Sequence, residues 1–229
     1  MPKVSLSDTE GSFDVTVLEA ASPSRIVLFA VGGGGNPERH LPLLSALAER
    51  GCTVVAPHFA RLLAPAPTDA ELLLRARRLR LSLDSVARPD VTVVGVGHSI
   101  GATMLLALAG GEIWMRAGHK LTLAPDARLE RLALLAPATD FFGAPGALEA
   151  VRTPIVAWAG TNDVVTPVRH AELLQRALGD RVPVDVRVVE GAGHFSFMSS
   201  PPPQTTEPLA DRDAFLAELT RDICAFVAA

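Results

Sequence analysis

Apolar runs rich in Val, Ile, Leu and Ala alternate with three-to-four-residue periodic patterns along nearly the whole chain. About seven runs have the length and composition of β-strands: 13–19 (FDVTVLE), 25–31 (RIVLFAV), 52–56 (CTVVA), 91–96 (VTVVGV), 131–136 (RLALLA), 154–159 (PIVAWA) and 183–189 (PVDVRVV). Near-continuous apolar runs of this kind fit strands covered on both faces. Segment 183–189 alternates instead, with Asp185 and Arg187 between valines, which predicts a place near the sheet edge.

Helical patterns fill the intervals at 37–50, 68–88, 100–110, 167–178 and 211–228. Thr68 and Glu71 have the spacing of a capping box at the start of the second. That helix carries Leu72, Leu79 and Leu83 on one face, with Arg75, Arg78 and Arg88 expected elsewhere. The last helix places Phe215, Leu219, Ile223 and Phe226 at three- and four-residue steps. Alternation of strand and helix predicts an α/β fold, a mainly parallel sheet with helices on both faces. No linker divides the chain, so residues 1–229 are expected to form one domain, with the Pro-rich 201–208 as a surface loop.

Composition narrows the function classes. With 229 residues, 48% hydrophobic and 20% charged, the chain is far from a disordered composition. It is long enough to bury a core without a metal or disulfide staple. The 21 basic residues face 25 acidic ones, a net charge of −4, so no basic excess exists to neutralise phosphates and no nucleic-acid partner is expected. The first residues lack a secretory apolar region, and no long apolar run suggests a membrane span. A soluble, cytoplasmic protein is expected. Cys52 and Cys224 fit neither a disulfide framework nor a metal or redox pair, and read as small core hydrophobes.

The chemistry collects at predicted strand ends, where ligands bind in parallel α/β sheets. The strand 91–96 runs into Gly97-His98-Ser99-Ile100-Gly101 and straight into a helix. This G-x-S-x-G pattern suits a sharp strand-to-helix turn: it lifts Ser99 above the sheet and leaves the Ile100 amide free for a developing oxyanion. A serine needs a base, and the base an orienting acid. Asp163 follows the strand 154–159 and His194 follows 183–189, in the order Ser, Asp, His. Asp140, after 131–136, is the alternative acid. A second oxyanion donor is expected from the Gly32–Gly35 run after the strand 25–31, with Gly33 the first choice and Gly34 the second.

Other residues carry plainer readings. The stretch from Gly95 to Gly101 fails a dinucleotide fingerprint, because Ile100 stands where the third glycine belongs. His98 is expected to project away from Ser99 and pack beneath the turn. His40, His58, His119 and His170 show no metal-ligand spacing and read as solvated or capping residues. Phe141, Phe142, Trp114, Met115, Phe195 and Phe197 are candidates for an acyl pocket. Segments 113–130 and 195–210 could give a partial cover, and no large cap domain fits the available length.

Taken together, GGGGN, GHSIG, GTNDVVTP and GAGHFSF resemble the α/β-hydrolase family over essentially the whole chain, in particular its small serine esterases and dienelactone-hydrolase-like members. The resemblance implies Ser99 as nucleophile, His194 as general base and then acid, Asp163 as orienting carboxylate, and the amides of Ile100 and Gly33 as oxyanion donors. It implies hydrolysis of a small-molecule carboxylic ester without metal or other cofactor. Two departures stand out. Many members carry His-Gly at the oxyanion turn, where this chain has Val31-Gly32, so the support of that turn must differ. Dienelactone hydrolases proper use cysteine where Ser99 stands. The same machinery would serve a thioester or lactone, and a non-catalytic binding protein is the rival from another class; oligomeric state is left open.

Overall fold

A computed structural model describes residues 3–64 and 66–229. Its main sheet begins with a hairpin, β1 (Lys3–Asp8) and β2 (Gly11–Leu18), paired antiparallel. There follow β3 (Arg25–Ala30), α1 (Leu41–Glu49), β4 (Cys52–Pro57), α2 (Asp69–Asp84), β5 (Val93–His98) and α3 (Ile100–Leu108). A two-stranded ribbon, β6 (Ile113–Trp114) and β7 (Lys120–Leu121), stands apart from the sheet. The chain then returns through β8 (Leu129–Leu135), β9 (Ile155–Gly160), α4 (Arg169–Leu178), β10 (Val184–Val189) and α5 (Arg212–Ala228).

The sheet has 8 strands in the order β1-β2-β4-β3-β5-β8-β9-β10, parallel from β4 onward. Each predicted strand is present, and β1 is the addition: its KVSLSD offers only two large apolar residues and is largely exposed. β10 lies at the edge, pairing only with β9, as its alternation predicted.

Apolar residues cover both faces, which is why the inner strands read as unbroken hydrophobic runs. On one face Ile26, Leu28, Leu132 and Ile155 pack against Leu72 and Leu79 of α2, Leu105 of α3 and Leu174 of α4. On the other, Val27, Phe29, Val54 and Val156 pack against Leu44 and Leu47 of α1 and Ile223 of α5. Cys52 and Cys224 are both buried there as free thiols. α2 opens with the capping box: the Thr68 hydroxyl accepts from the Glu71 amide while the Glu71 carboxylate takes the Thr68 N–H at 2.7 Å. Among the described residues, no helix is long and apolar enough to cross a membrane.

The parallel register has one consequence for chemistry. β3, β5, β9 and β10 all end at the same sheet edge, so the segments that follow them meet there.

Candidate active site

β5 passes into α3 with a single residue between them, Ser99, whose backbone is held at φ 56 and ψ −124. Such angles cost a non-glycine residue about 1–3 kcal/mol and persist only where surrounding contacts enforce them. Here the Ser99 N–H donates to the Leu135 carbonyl at 2.9 Å, and the Ser99 carbonyl accepts the Ala102 N–H at 3.0 Å. The flanking glycines are sterically required. A Cβ on Gly101 would sit 1.9 Å from the Ala30 carbonyl oxygen, and one on Gly97 would sit 2.9 Å from the Ala102 nitrogen.

Ser99, His194 and Asp163 are brought together in one hydrogen-bonded chain. His194 Nε2 lies 3.0 Å from Ser99 Oγ, and His194 Nδ1 lies 2.8 Å from Asp163 Oδ2. The Asp163 carboxylate also accepts the backbone N–H groups of Val165 at 2.8 Å and Thr166 at 2.7 Å, both on Oδ1. Burial would raise its pKa, but the hydrogen bond and charge of His194, with the donors of Thr166, outweigh that and hold it down to about 2. Asp140 does not compete. It is largely exposed, and faces His170 Nε2 at 3.4 Å.

Thr166 belongs to this chain too, and sequence reasoning passed over it. Its hydroxyl donates to Asp163 Oδ2 at 2.8 Å and stands 3.1 Å from His194 Nδ1, so the imidazole N–H points at two oxygens. The signal was available in Asp163-x-x-Thr166, the spacing at which a side-chain oxygen reaches a backbone N–H three residues on.

The glycine turn after β3 comes against the serine. A Cβ on Gly32 would lie 3.4 Å from Ser99 Cβ, and Gly33 lines one cleft with Ser99 and Ile100. The amides of Gly33 and Ile100 donate to no acceptor among the described residues. Support for this turn comes from an unexpected residue. Arg75, placed off the apolar face of α2 by its polarity, lies on that face with Leu72, Ala76 and Leu79, and is buried. Its guanidinium reaches the carbonyls of Val31 at 3.3 Å, Gly32 at 3.4 Å and Ala60 at 3.4 Å. It stacks on the Phe59 ring at 4.5 Å. Burial lowers its pKa to about 10, which leaves it cationic at neutral pH.

Two histidines expected at the surface are in the interior. His40 is fully buried between Phe29 and His98, with ring centroids at 4.9 and 5.3 Å. Burial lowers its pKa to about 3; the nearby Phe197 backbone opposes the shift, though neither ring nitrogen makes a hydrogen bond of ordinary geometry. His170 is also buried and accepts the Thr139 N–H on Nδ1 at 3.0 Å. His58 is half-buried and His119 exposed, nearer the expected state. His98 is buried beneath the turn as expected, where burial pushes its pKa well down. Its Nε2 donates to the His194 carbonyl at 3.0 Å.

A protein of unknown function from Agrobacterium tumefaciens, assigned to the α/β hydrolases, matches over 97% of this chain and 94% of its own at 18% identity, with a TM-score of 0.68. An α/β serine hydrolase homologue from Coxiella burnetii matches over 99% and 97% at 16% identity, TM-score 0.65. The chain has the α/β-hydrolase fold. The thermophilic esterase 2 of Thermogutta terrifontis shares it, at 15% identity over 98% and 90% of the two chains and a TM-score of 0.66. That esterase has been captured with propionate bound and, separately, phosphorylated by paraoxon. No protein-family model and no curated protein matches the sequence.

In this hydrolase fold the surface above Ser99 is a cleft of about 490 Å³. Of the expected pocket residues, Trp114, Met115 and Phe141 line it; Phe142 and Phe197 are core instead. The turn of the β6–β7 ribbon forms one wall and Leu62, Ala64, Ala66, Pro67 and Asp69 the other, joined across the mouth by His119 Nε2 and Asp69 Oδ2 at 2.7 Å. Segment 113–121 is thus a partial cover. Phe195 and the residues from Thr205 to Pro208 border, with His194, a second cavity of about 520 Å³. Among the described residues no group of three or more metal-ligating side chains is present.

Proposed function

We propose that the protein is a serine hydrolase of small carboxylic esters, working through Ser99, His194 and Asp163. The single observation that carries this reading is the unbroken hydrogen-bonded path from Ser99 Oγ to the buried Asp163 carboxylate, at 3.0 and 2.8 Å. Ser99 Oγ attacks the ester carbonyl as His194 Nε2 takes its proton. The tetrahedral oxyanion is met by the amides of Ile100 and Gly33. Collapse breaks the ester C–O bond, and His194 returns the proton to the departing alcohol. Water then repeats the sequence on the acyl-enzyme, with His194 again as base, and releases the carboxylic acid. Asp163 and Thr166 hold the imidazole so that Nδ1 keeps its proton and Nε2 faces the serine.

The mixed apolar and charged lining of the cleft favours short acyl groups. Leu62, Ile100, Trp114, Met115 and Phe141 give it apolar walls, while Asp69, Arg116, His119 and Asp140 stand among its lining groups. The propionate seen in the Thermogutta esterase agrees with an acyl group of that size. The experiment is hydrolysis of p-nitrophenyl esters from acetate to decanoate by the wild type. Expected is a kcat/KM highest for the short chains and about 10-fold or more lower at decanoate, a loss of roughly 1.4 kcal/mol of transition-state binding. A profile rising toward decanoate would contradict the short-acyl assignment.

A further inference from the structure

Arg75 is a cation with no carboxylate in salt-bridge contact among the described residues, in a position where helix periodicity calls for an apolar side chain. α2 turns Leu72, Arg75, Ala76 and Leu79 toward the sheet, and Arg75 is only 3% exposed. A buried charge is costly unless hydrogen-bonded. Here the bonding is supplied by backbone carbonyls of two segments, Val31 and Gly32 after β3 and Ala60 after β4. The Phe59 ring, 4.5 Å from the guanidinium carbon, covers one face of the fork.

The consequence follows from peptide geometry. The Gly32 carbonyl and the Gly33 N–H belong to one planar trans unit, since the described residues hold no cis peptide, so the two groups point in opposite directions. The carbonyl is held from one side by Arg75 Nη1 at 3.4 Å and by the Gly35 N–H at 3.1 Å. The Gly33 N–H is therefore turned away from α2, at the point where Gly33 lines the cleft beside Ser99. A cation on a peptide oxygen also polarises the amide and strengthens its N–H as a donor.

We propose that Arg75 is the positioning residue of the oxyanion site, fixing and polarising the Gly32–Gly33 peptide from behind. This rests on the serine-hydrolase reading above. It also supplies what the Val31-Gly32 sequence lacks: neither side chain can brace the turn, and the brace is borrowed from α2. Arg75 touches no substrate, so its effect is confined to the tetrahedral state and leaves ground-state binding alone.

The test compares wild type, Arg75→Met, Arg75→Lys and Arg78→Met, the last removing a neighbouring arginine that binds Asp8 instead. Each variant is measured for kcat and KM on p-nitrophenyl acetate, for Ki of an alkylboronic acid that forms a tetrahedral adduct with serine, and for Tm. Expected for Arg75→Met is a kcat about 10- to 100-fold lower, a boronate Ki weakened by a similar factor, and KM within about 2-fold. Arg75→Lys recovers part of both, whereas Arg78→Met lowers Tm only. If Arg75→Met does not fold, Arg75→Lys decides: a point charge without the fork cannot serve all three carbonyls, and about a 5-fold loss of kcat at constant KM is expected. Wild-type kcat and boronate affinity in a folded Arg75 variant would overturn the inference and leave the hydrolase reading intact. A wild type that neither hydrolyses ester nor binds boronate would overturn both.

Discussion

His98 Nε2 donates to the backbone carbonyl of His194 at 3.0 Å, so the residue before the serine holds the backbone of the histidine that faces it. The two rings lie 4.9 Å apart. The contact ties the end of β5 to the segment after β10, 96 positions away in sequence. Replacing His98 with leucine leaves that buried carbonyl without its donor, which costs about 1–3 kcal/mol. His98→Leu is expected to lower Tm by several degrees and kcat about 10-fold, read by calorimetry and ester hydrolysis; unchanged kcat in a folded variant would show that the contact does not set His194.

Thr166 gives a sharper case because its hydroxyl touches both Asp163 and His194. Thr166→Val keeps the shape and removes one donor to Asp163 and one acceptor for His194. Kinetics should show kcat/KM about 10-fold lower, near 1.4 kcal/mol, in the range for a hydrogen bond to a charged group. Thr166→Ser should restore most of it. Equal losses in the two variants would mean that packing, not the hydroxyl, is what matters.

Acid should destabilise the fold through its buried histidines. His40 titrates at 6.5 in ordinary surroundings and about 3 here, so between these values the unfolded chain binds a proton that the folded chain refuses. Stability is therefore full above pH 6.5 and falls as pH drops toward 3, by up to about 1.4 kcal/mol per pH unit for this one group. Asp163, lowered from 3.8 to about 2, adds a second loss at more acid pH, between those two values. His40→Phe removes the first. Denaturant unfolding at pH 7 and pH 4.5 should show a smaller difference for the variant than for the wild type, and an identical difference would refute the assignment.

Gly101→Ala tests the turn itself. A methyl group 1.9 Å from the Ala30 carbonyl oxygen cannot be accommodated without moving β3 or α3. The expected result is a loss of about 3 kcal/mol or more, or failure to fold, in denaturant titration. A stability within 1 kcal/mol of wild type would mean the serine turn is far more pliable than its contacts imply.

How much of this was legible beforehand depends on how local each signal is. Ser99 and Asp163 follow buried apolar strands and His194 follows the alternating edge strand β10; parallel pairing brings the ends of all three to one edge, so their meeting could be read from spacing and order. Thr166 was readable in principle from its distance to Asp163. Arg75 was not, because polarity sends an arginine to the solvent face, and only the packing of α2 shows three carbonyls from distant segments converging on it. His40 and His170 went astray for a related reason: imidazole is as much at home inside as outside, so sequence position alone does not place it. β1 escaped because its two apolar residues make a weak alternation, and because much of its support is the hairpin pairing with β2.

The most direct measurement is hydrolysis of p-nitrophenyl acetate by the wild type and by Ser99→Ala, both shown to be folded. Expected are turnover by the wild type and a fall of at least about 10³-fold in the variant, the mark of Ser99 as nucleophile. Equal activity in the two proteins would contradict it, since Ser99 could then not be the nucleophile.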